Sequence, residues 1–224
     1  MHNSDLQNFT VVVAKQQTKG RGQLERKWVS EPNKNLTFSI FVKFNQLQIT
    51  KNKYLNFAIS LAIYDVLLSK KIVKTTIKWP NDLLSGNKKI CGILIENTFS
   101  GNSIKNSIVG IGLNVNQEIF PKFKPNATSL KLETGSEFNL NTLLNDILIA
   151  FQNKINLLKT KQFALLEESY LKVLYKKNIP SMFKNTSDEV FMGIITGISN
   201  NGKLQIQMED DEIKEFGIRE VSFL

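Results

Sequence analysis

From Thr76 to Asn114 the chain is a run of short apolar segments separated by turn residues, and this pattern restricts the fold more than any other feature. Thr76 to Trp79 and Leu83-Leu84 read as short strands, and Ser85-Gly86-Asn87-Lys88 as a hairpin turn. Lys89 to Asn97 and Ser107 to Asn114 follow as core strands, with Ser100-Gly101-Asn102 turning between them. Further upstream, Phe9 to Ala14 reads as a buried strand because Val11-Val12-Val13 is continuous and β-branched. Leu36 to Phe44 alternates, placing Leu36, Phe38, Ile40 and Val42 on one face. Asn52 to Lys70 predicts an amphipathic helix, with Leu55, Ala58, Ile59, Ala62, Ile63, Val66 and Leu67 at helical spacing. Two more helices are expected, from Leu140 to Leu158 and from Lys161 to Leu174. The class is therefore α+β, a mixed sheet flanked by helices. Beyond Pro180, Val190 to Ile198, Lys203 to Met208 and Ile213 to Gly217 predict a small β-barrel. Alone it is too small to bury much core, so it is expected to pack on the larger part.

Composition narrows the function. Hydrophobic residues make up 42% of 224, enough for a real core. The longest apolar stretches are broken by Lys, Asn or Asp, so no membrane span is expected, and Met1 to Asp5 lacks the pattern of a signal peptide. Cys91 is the only cysteine, which excludes an internal disulfide and suits a reducing cytoplasm. His2 is the only histidine, which removes Ser-His-Asp and Cys-His catalysis and histidine-rich metal sites. The formal net charge of +9 rests mostly on lysine, and Arg21, Arg26 and Arg219 are the only arginines. The charge is either a solvated basic surface or a sign of an acidic partner: nucleotide phosphates or an acidic carrier protein. A nucleic-acid surface is disfavoured, since such surfaces favour arginine and no helix-turn-helix or RNA-binding signature is present.

Three polar segments stand out. Lys15 to Lys27 is Gly-rich, cationic and aperiodic, and it reads as a mobile loop. Its core, Lys19-Gly20-Arg21-Gly22, is either a solvated basic turn or a loop that pins phosphates with backbone N–H groups and arginines. Lys78-Trp79-Pro80-Asn81-Asp82 brings together an indole, an amide and a carboxylate. It precedes Lys88-Lys89-Ile90-Cys91-Gly92, where Gly92 lets a ligand approach the backbone and a lysine can hold an anion. Cys91 reads as a packed thiol. Gly110-Ile111-Gly112-Leu113-Asn114 lacks a third glycine and a following helix, so a Rossmann reading fails.

In this order and spacing, the three segments resemble the biotin–protein ligases, over nearly the whole chain from about Val11 to Leu224. Gln17, Gly20, Arg21, Gly22, Arg26 and Trp28 match that family's biotin-binding loop, with departures at Gln23, where the family has arginine, and at Glu25, where it has glycine. Lys78 to Asp82 matches in full. Lys89, seven residues after Asp82, stands where the family has its essential lysine. Asn114 matches an asparagine near the adenine, and Ala127-Thr128-Ser129-Leu130 a segment that orders over it. The family also has a strand and a Ser-Thr-Asn helix start before the motif glutamine, and counting back from Gln17 runs off the start of this sequence. With no DNA-binding segment in it either, the resemblance implies a monofunctional ligase without a DNA partner.

The resemblance implies a class II synthetase-like catalytic domain over residues 1–178 and an SH3-like barrel over 179–224. The implied reaction joins biotin to ATP, with Mg2+, as biotinyl-5'-AMP, then transfers biotin to a lysine of a biotin carboxyl carrier protein of acetyl-CoA carboxylase or a related carboxylase. Implied catalytic residues are Lys89, Arg21 and Asp82, with Asp82 also the candidate Mg2+ ligand. Implied biotin contacts are Gln17, Gly20, Arg21, Gly22, Gln23, Lys89 and Gly92. Implied adenylate contacts are Arg26, Trp28, Asn81, Lys89, Asn114, Thr128 and Ser129. A cytoplasmic enzyme is expected, and the resemblance allows a homodimer. The rival readings are a lipoate or octanoate transferase of the same superfamily and a truncated, non-catalytic biotin- or nucleotide-binding scaffold.

Overall fold

A computed structural model describes residues 6–18, 20–22, 27–121 and 126–224. The chain runs β1 (Val11–Ala14), β2 (Gly20–Arg21), β3 (Lys27–Trp28), β4 (Leu36–Gln48), α1 (Asn52–Ser69), β5 (Thr75–Lys78), β6 (Asp82–Ser85), β7 (Lys88–Ser100) and β8 (Ser103–Leu113). It continues with α2 (Leu130–Thr134), α3 (Leu140–Lys159), α4 (Phe163–Lys172), β9 (Pro180–Asn185), β10 (Val190–Ile198), β11 (Leu204–Gln207), β12 (Ile213–Phe216) and β13 (Val221–Phe223). The main sheet has the order β1-β4-β8-β7-β6-β5, and every neighbouring pair is antiparallel. Among the described residues, parallel pairing touches it only through the isolated bridges Ile77–Leu174 and Lys89–Ala127.

Leu36, Phe38, Ile40 and Val42 do share the buried face of β4, but Phe41 on the opposite face is buried too. Between β1 and β8, with chain on both faces, β4 is an interior strand. By contrast β1 is an edge strand. Val12 and Val13 stay about half exposed (51% and 50%), so a β-branched run that reads as buried lies at the rim.

α1 also departs from its pattern. Apolar side chains are buried around most of its circumference, including Phe57 and Leu61 outside the predicted stripe. The cause is a second layer: α3 and α4 cover the side of α1 that faces away from the sheet. Phe57 stacks on Tyr170 of α4 with ring centroids 4.0 Å apart, and Tyr54 meets Phe163 at 4.6 Å. Each such buried ring is worth about 1.5–3 kcal/mol relative to exposure. Lys53, buried in the same seam, is neutralised by Glu167 at 2.7 Å, and the Tyr54 hydroxyl donates to the other carboxylate oxygen at 2.9 Å. Burial first, and then the Glu167 carboxylate, pushes the Tyr54 phenol up to about 12.

The expected C-terminal β unit is a five-stranded antiparallel sheet, β12-β11-β10-β9-β13. Its strands β9 and β13 carry no strong strand signal in the sequence; Phe183 and Phe223 from them build its aromatic core with Phe191. Among the contacts that fasten this sheet to the rest are two hydrogen bonds and the Lys78 ammonium over the Phe223 ring at 4.5 Å. The Asn178 N–H donates to Ile195 O at 2.9 Å, and the Trp79 indole N–H donates to Gly202 O at 3.1 Å.

Candidate active site

The strand registers align one residue from each strand of the main sheet: Ala14, Thr37, Gly112, Gly92, Asp82 and Lys78. Directly paired residues project to the same side, so this row shares one face. Its middle has no side chains. A parallel row, Val12, Ser39, Gly110 and Leu94, runs beside it and is also small at its centre. The result is a shallow trough on the face away from α1, floored by backbone at Gly92 and Gly112.

Trp28 lies on that floor. A Cβ built on Gly112 would fall 2.6 Å from Trp28 Cζ2 and 2.8 Å from Cδ2, and one built on Gly92 would meet Cζ3 at 3.4 Å. Gly20 holds Trp28 from the other side: the two are register partners, and a Cβ at Gly20 would lie 2.8 Å from Gln17 Oε1 and 3.2 Å from Trp28 Cβ. The indole Nε1 is buried, with no hydrogen-bond partner among the described residues.

At the Asp82 end of the row sits the charge. Lys89 Nζ is 2.6 Å from Asp82 Oδ1 and 5.8 Å from the centre of the Trp28 ring, and it would crowd any side chain at Gly92, at 3.1 Å. The side chain of Lys89 keeps 25% of its surface exposed, so the ammonium is reachable from the trough. Its backbone is clamped on both sides: Lys89 N donates to Asn126 O at 2.7 Å, and Thr128 N donates to Lys89 O at 2.9 Å.

The remaining predicted residues divide by what they touch. Asn81 donates its side-chain amide to Ile93 O, and Ile93 N returns a bond to Asn81 O at 3.0 Å, so Asn81 braces β7 beside Asp82. Asn114 is buried; its Nδ2 donates to Thr128 O at 2.9 Å, while its Oδ1 is buried with no partner among the described residues. Thr128 and Ser129 are fully buried and their hydroxyls are engaged inside the fold. Thr128 donates to Glu133 at 2.6 Å, and Ser129 caps α2 by accepting from Leu132 N at 3.2 Å. Gly22 is half-buried, and the backbone of Arg21 pairs with Lys27. The Arg21 side chain, Gln23 and Arg26 lie outside the described residues.

Sequence reasoning missed Glu133. It accepts from Thr128 and, at 2.7 Å, from Ser85, tying the segment that clamps Lys89 to the β6 end. A signal was present: Ser129 and Gly135 bracket 130–134 as N-cap and left-handed C-terminal residue, with φ 74° at Gly135. Cys91 is fully buried, and that burial pushes its thiol well above the ordinary range despite the opposing charge of Lys89, so it is a packed, unreactive group.

Residues 1–114 match the sequence profile of the biotin/lipoate A/B protein ligase family. The chain belongs to this family. A family relative, the biotin–[acetyl-CoA-carboxylase] ligase of Paracoccus denitrificans, is 31% identical over 199 residues, covering 86% of this chain and 82% of that protein. The bifunctional ligase/repressor BirA of Bacillus spizizenii is 30% identical over 214 residues, covering 93% of this chain. This chain spans 64% of that relative's length. Among family members of known structure, biotin protein ligase from Aquifex aeolicus in complex with biotin and ATP superposes with a TM-score of 0.79 at 29% identity, covering 98% of this chain and 90% of that one.

No group of three or more metal-ligating side chains occurs among the described residues. Asp82 is the one carboxylate in the row, and Mg2+ needs only one or two carboxylates when phosphates complete its shell. No helix among the described residues is long and apolar enough to cross a membrane.

Proposed function

We propose that this chain is an ATP-dependent biotin–protein ligase. The observation that carries the reading is the Lys89 ammonium, held beside Asp82 at the end of a floor with no side chains and under an aromatic ring. A trough floored by glycine backbone and walled by the Trp28 indole accepts a flat, largely apolar ring system. A cation at its end can neutralise two anions that must meet, the biotin carboxylate and the ATP α-phosphate. The carboxylate oxygen attacks phosphorus and pyrophosphate leaves, giving biotinyl-5'-AMP. The amine of an acceptor lysine then attacks the acyl carbon, AMP leaves, and an amide forms. No protein nucleophile is needed, so catalysis is positioning and charge neutralisation. Asp82 would serve either to accept the proton from the incoming amine or to hold Mg2+, whose chemistry would be to neutralise phosphate charge.

Arg21, with Gln17, Gly20, Gly22, Gln23 and Gly92, is assigned to biotin, and Arg26, Trp28, Asn81 and Asn114 to the adenylate. Thr128 serves that side by holding Lys89 and Asn114, and Ser129 by capping the helix that follows. Residues 1–178 are read as the catalytic domain and 179–224 as its SH3-like companion. The partner is a carboxylase carrier domain, in the cytoplasm.

The test is mass spectrometry of an apo carrier domain incubated with the chain, biotin and Mg-ATP, with lipoate and octanoate in parallel. A gain of one biotinyl group is expected. Acylation by lipoate or octanoate alone would replace this reading with the transferase one. Biotin binding without any transfer would replace it with a scaffold.

A further inference from the structure

Behind the hairpin that carries Lys89 is a second depression, of about 380 Å³, which the reaction does not use. Lys71, Lys74 and Lys88 rim it. All three are exposed, and none makes an ion pair among the described residues. The one acid on the rim is Glu133, and both of its carboxylate oxygens are already engaged by the hydroxyls of Thr128 and Ser85. Three like charges therefore surround one hollow with no counter-charge of their own.

Part of this placement has an ordinary cause. Lys71 follows the C-terminus of α1, where the helix dipole attracts cations. That does not account for Lys74 or Lys88, which arrive from different segments. Nor does it account for lysine at position 71 itself, whose φ of 64° lies in the left-handed region that favours glycine. The centre of the rim is apolar: Val73 is 84% exposed, the most exposed large apolar residue in the described structure. An apolar crest within a cationic rim fits a protein surface, where carboxylates ring an apolar contact, better than free phosphate.

Resting on the ligase reading above, we propose that this basin is the docking surface for an acidic face of the acceptor protein. Position supports the choice. Lys88 and Lys89 are consecutive on β7, so a partner seated on Lys88 lies against the strand that holds the reacting groups. Glu133 joins the two places: it lines the basin, and it accepts from Thr128, whose N–H holds Lys89 O. The net charge of +9 draws an acidic partner toward the whole surface, and the basin gives it a register.

The test compares the unsubstituted chain with Lys71→Glu/Lys74→Glu/Lys88→Glu, and with the milder triple glutamine variant as a check on folding. Binding of an apo biotin carboxyl carrier domain is measured by calorimetry at low and high salt. Biotin-dependent ATP–pyrophosphate exchange, which needs no carrier, is measured beside it. Carrier affinity is expected to fall at least about tenfold in the glutamate variant and to lose most of its salt dependence, with exchange unchanged. Unchanged carrier affinity would overturn the proposal. A parallel loss of exchange would overturn it in favour of a phosphate site. Absence of exchange in the unsubstituted chain would sink the ligase reading, while the binding arm still decides the basin.

Discussion

Gly112→Ala tests the glycine floor directly. The added methyl would sit 2.6 and 2.8 Å from two carbons of the Trp28 ring and closer still to a third. An indole is rigid, so the ring must lift or the strand must shift. Overpacking of this kind costs about 1–3 kcal/mol. For a chain of this size that lowers Tm by roughly 2–4 °C per kcal/mol. The strand itself has no objection to alanine; replacing glycine inside a strand recovers about 0.5–1 kcal/mol of backbone entropy. The sign should therefore reverse when the ring is removed. In a Trp28→Ala background, Gly112→Ala should be neutral or slightly stabilising, giving a coupling of about 1–3 kcal/mol between the two sites. The assay is a double-mutant cycle by denaturant unfolding, with ATP–pyrophosphate exchange on the same four proteins. An equal cost of Gly112→Ala in both backgrounds would show that the ring does not rest on the glycine, and the geometry argued for the trough would be wrong.

Four further outcomes are expected. Lys89→Ala should lower pyrophosphate exchange by at least about 100-fold with the circular dichroism spectrum unchanged, the scale found when a preorganised charge-stabilising donor is removed; normal exchange would displace Lys89 from the site. Glu133→Ala should strand the Ser85 and Thr128 hydroxyls at a cost of about 1–3 kcal/mol and reduce exchange in parallel, read by unfolding and kinetics. Because the folded Tyr54 phenol is raised from 10.0 to about 12, its contribution is complete below pH 10 and lost as pH climbs through 12; stability measured in that window should fall, and Tyr54→Phe should flatten the fall. Cys91 should resist a thiol reagent such as dithionitrobenzoate in the folded protein and react at once in denaturant; rapid labelling of the native chain would contradict its burial.

The elements of the main sheet were readable where local chemistry decides them. The turn at Ser85 to Lys88 and the pair of strands after it needed only glycine, asparagine and β-branched runs, and β7 and β8 form there. What failed depends on neighbours remote in sequence. Val12 and Val13 read as core because the three valines say nothing of which strands lie beside them; at the sheet edge they are half exposed. α1 reads as amphipathic because its polar face is hidden by helices more than seventy residues later. The charged half of the site was legible from Asp82 and Lys89. The floor was not: Gly92 and Gly112 become one surface only through the register of β7 on β8. Asn81 and Thr128 read as ligand contacts from their motifs alone; that the Asn81 side-chain amide also bonds Ile93 and the Thr128 hydroxyl bonds Glu133 leaves no trace in sequence.

The bare floor of the trough also bears on how this site could change its chemistry. Selectivity in most pockets can be altered by swapping a lining side chain, but here the lower wall offers none, and any Cβ at Gly112 meets the indole before it meets a substrate. Gly92 is little freer, since Lys89 occupies the space above it. New substrate preferences must then arise from the upper wall, where Trp28 and the segment around Gly20 stand. The lower wall is fixed by backbone geometry and the upper one is open to variation, so divergence within such a scaffold should be concentrated in a single short stretch of chain.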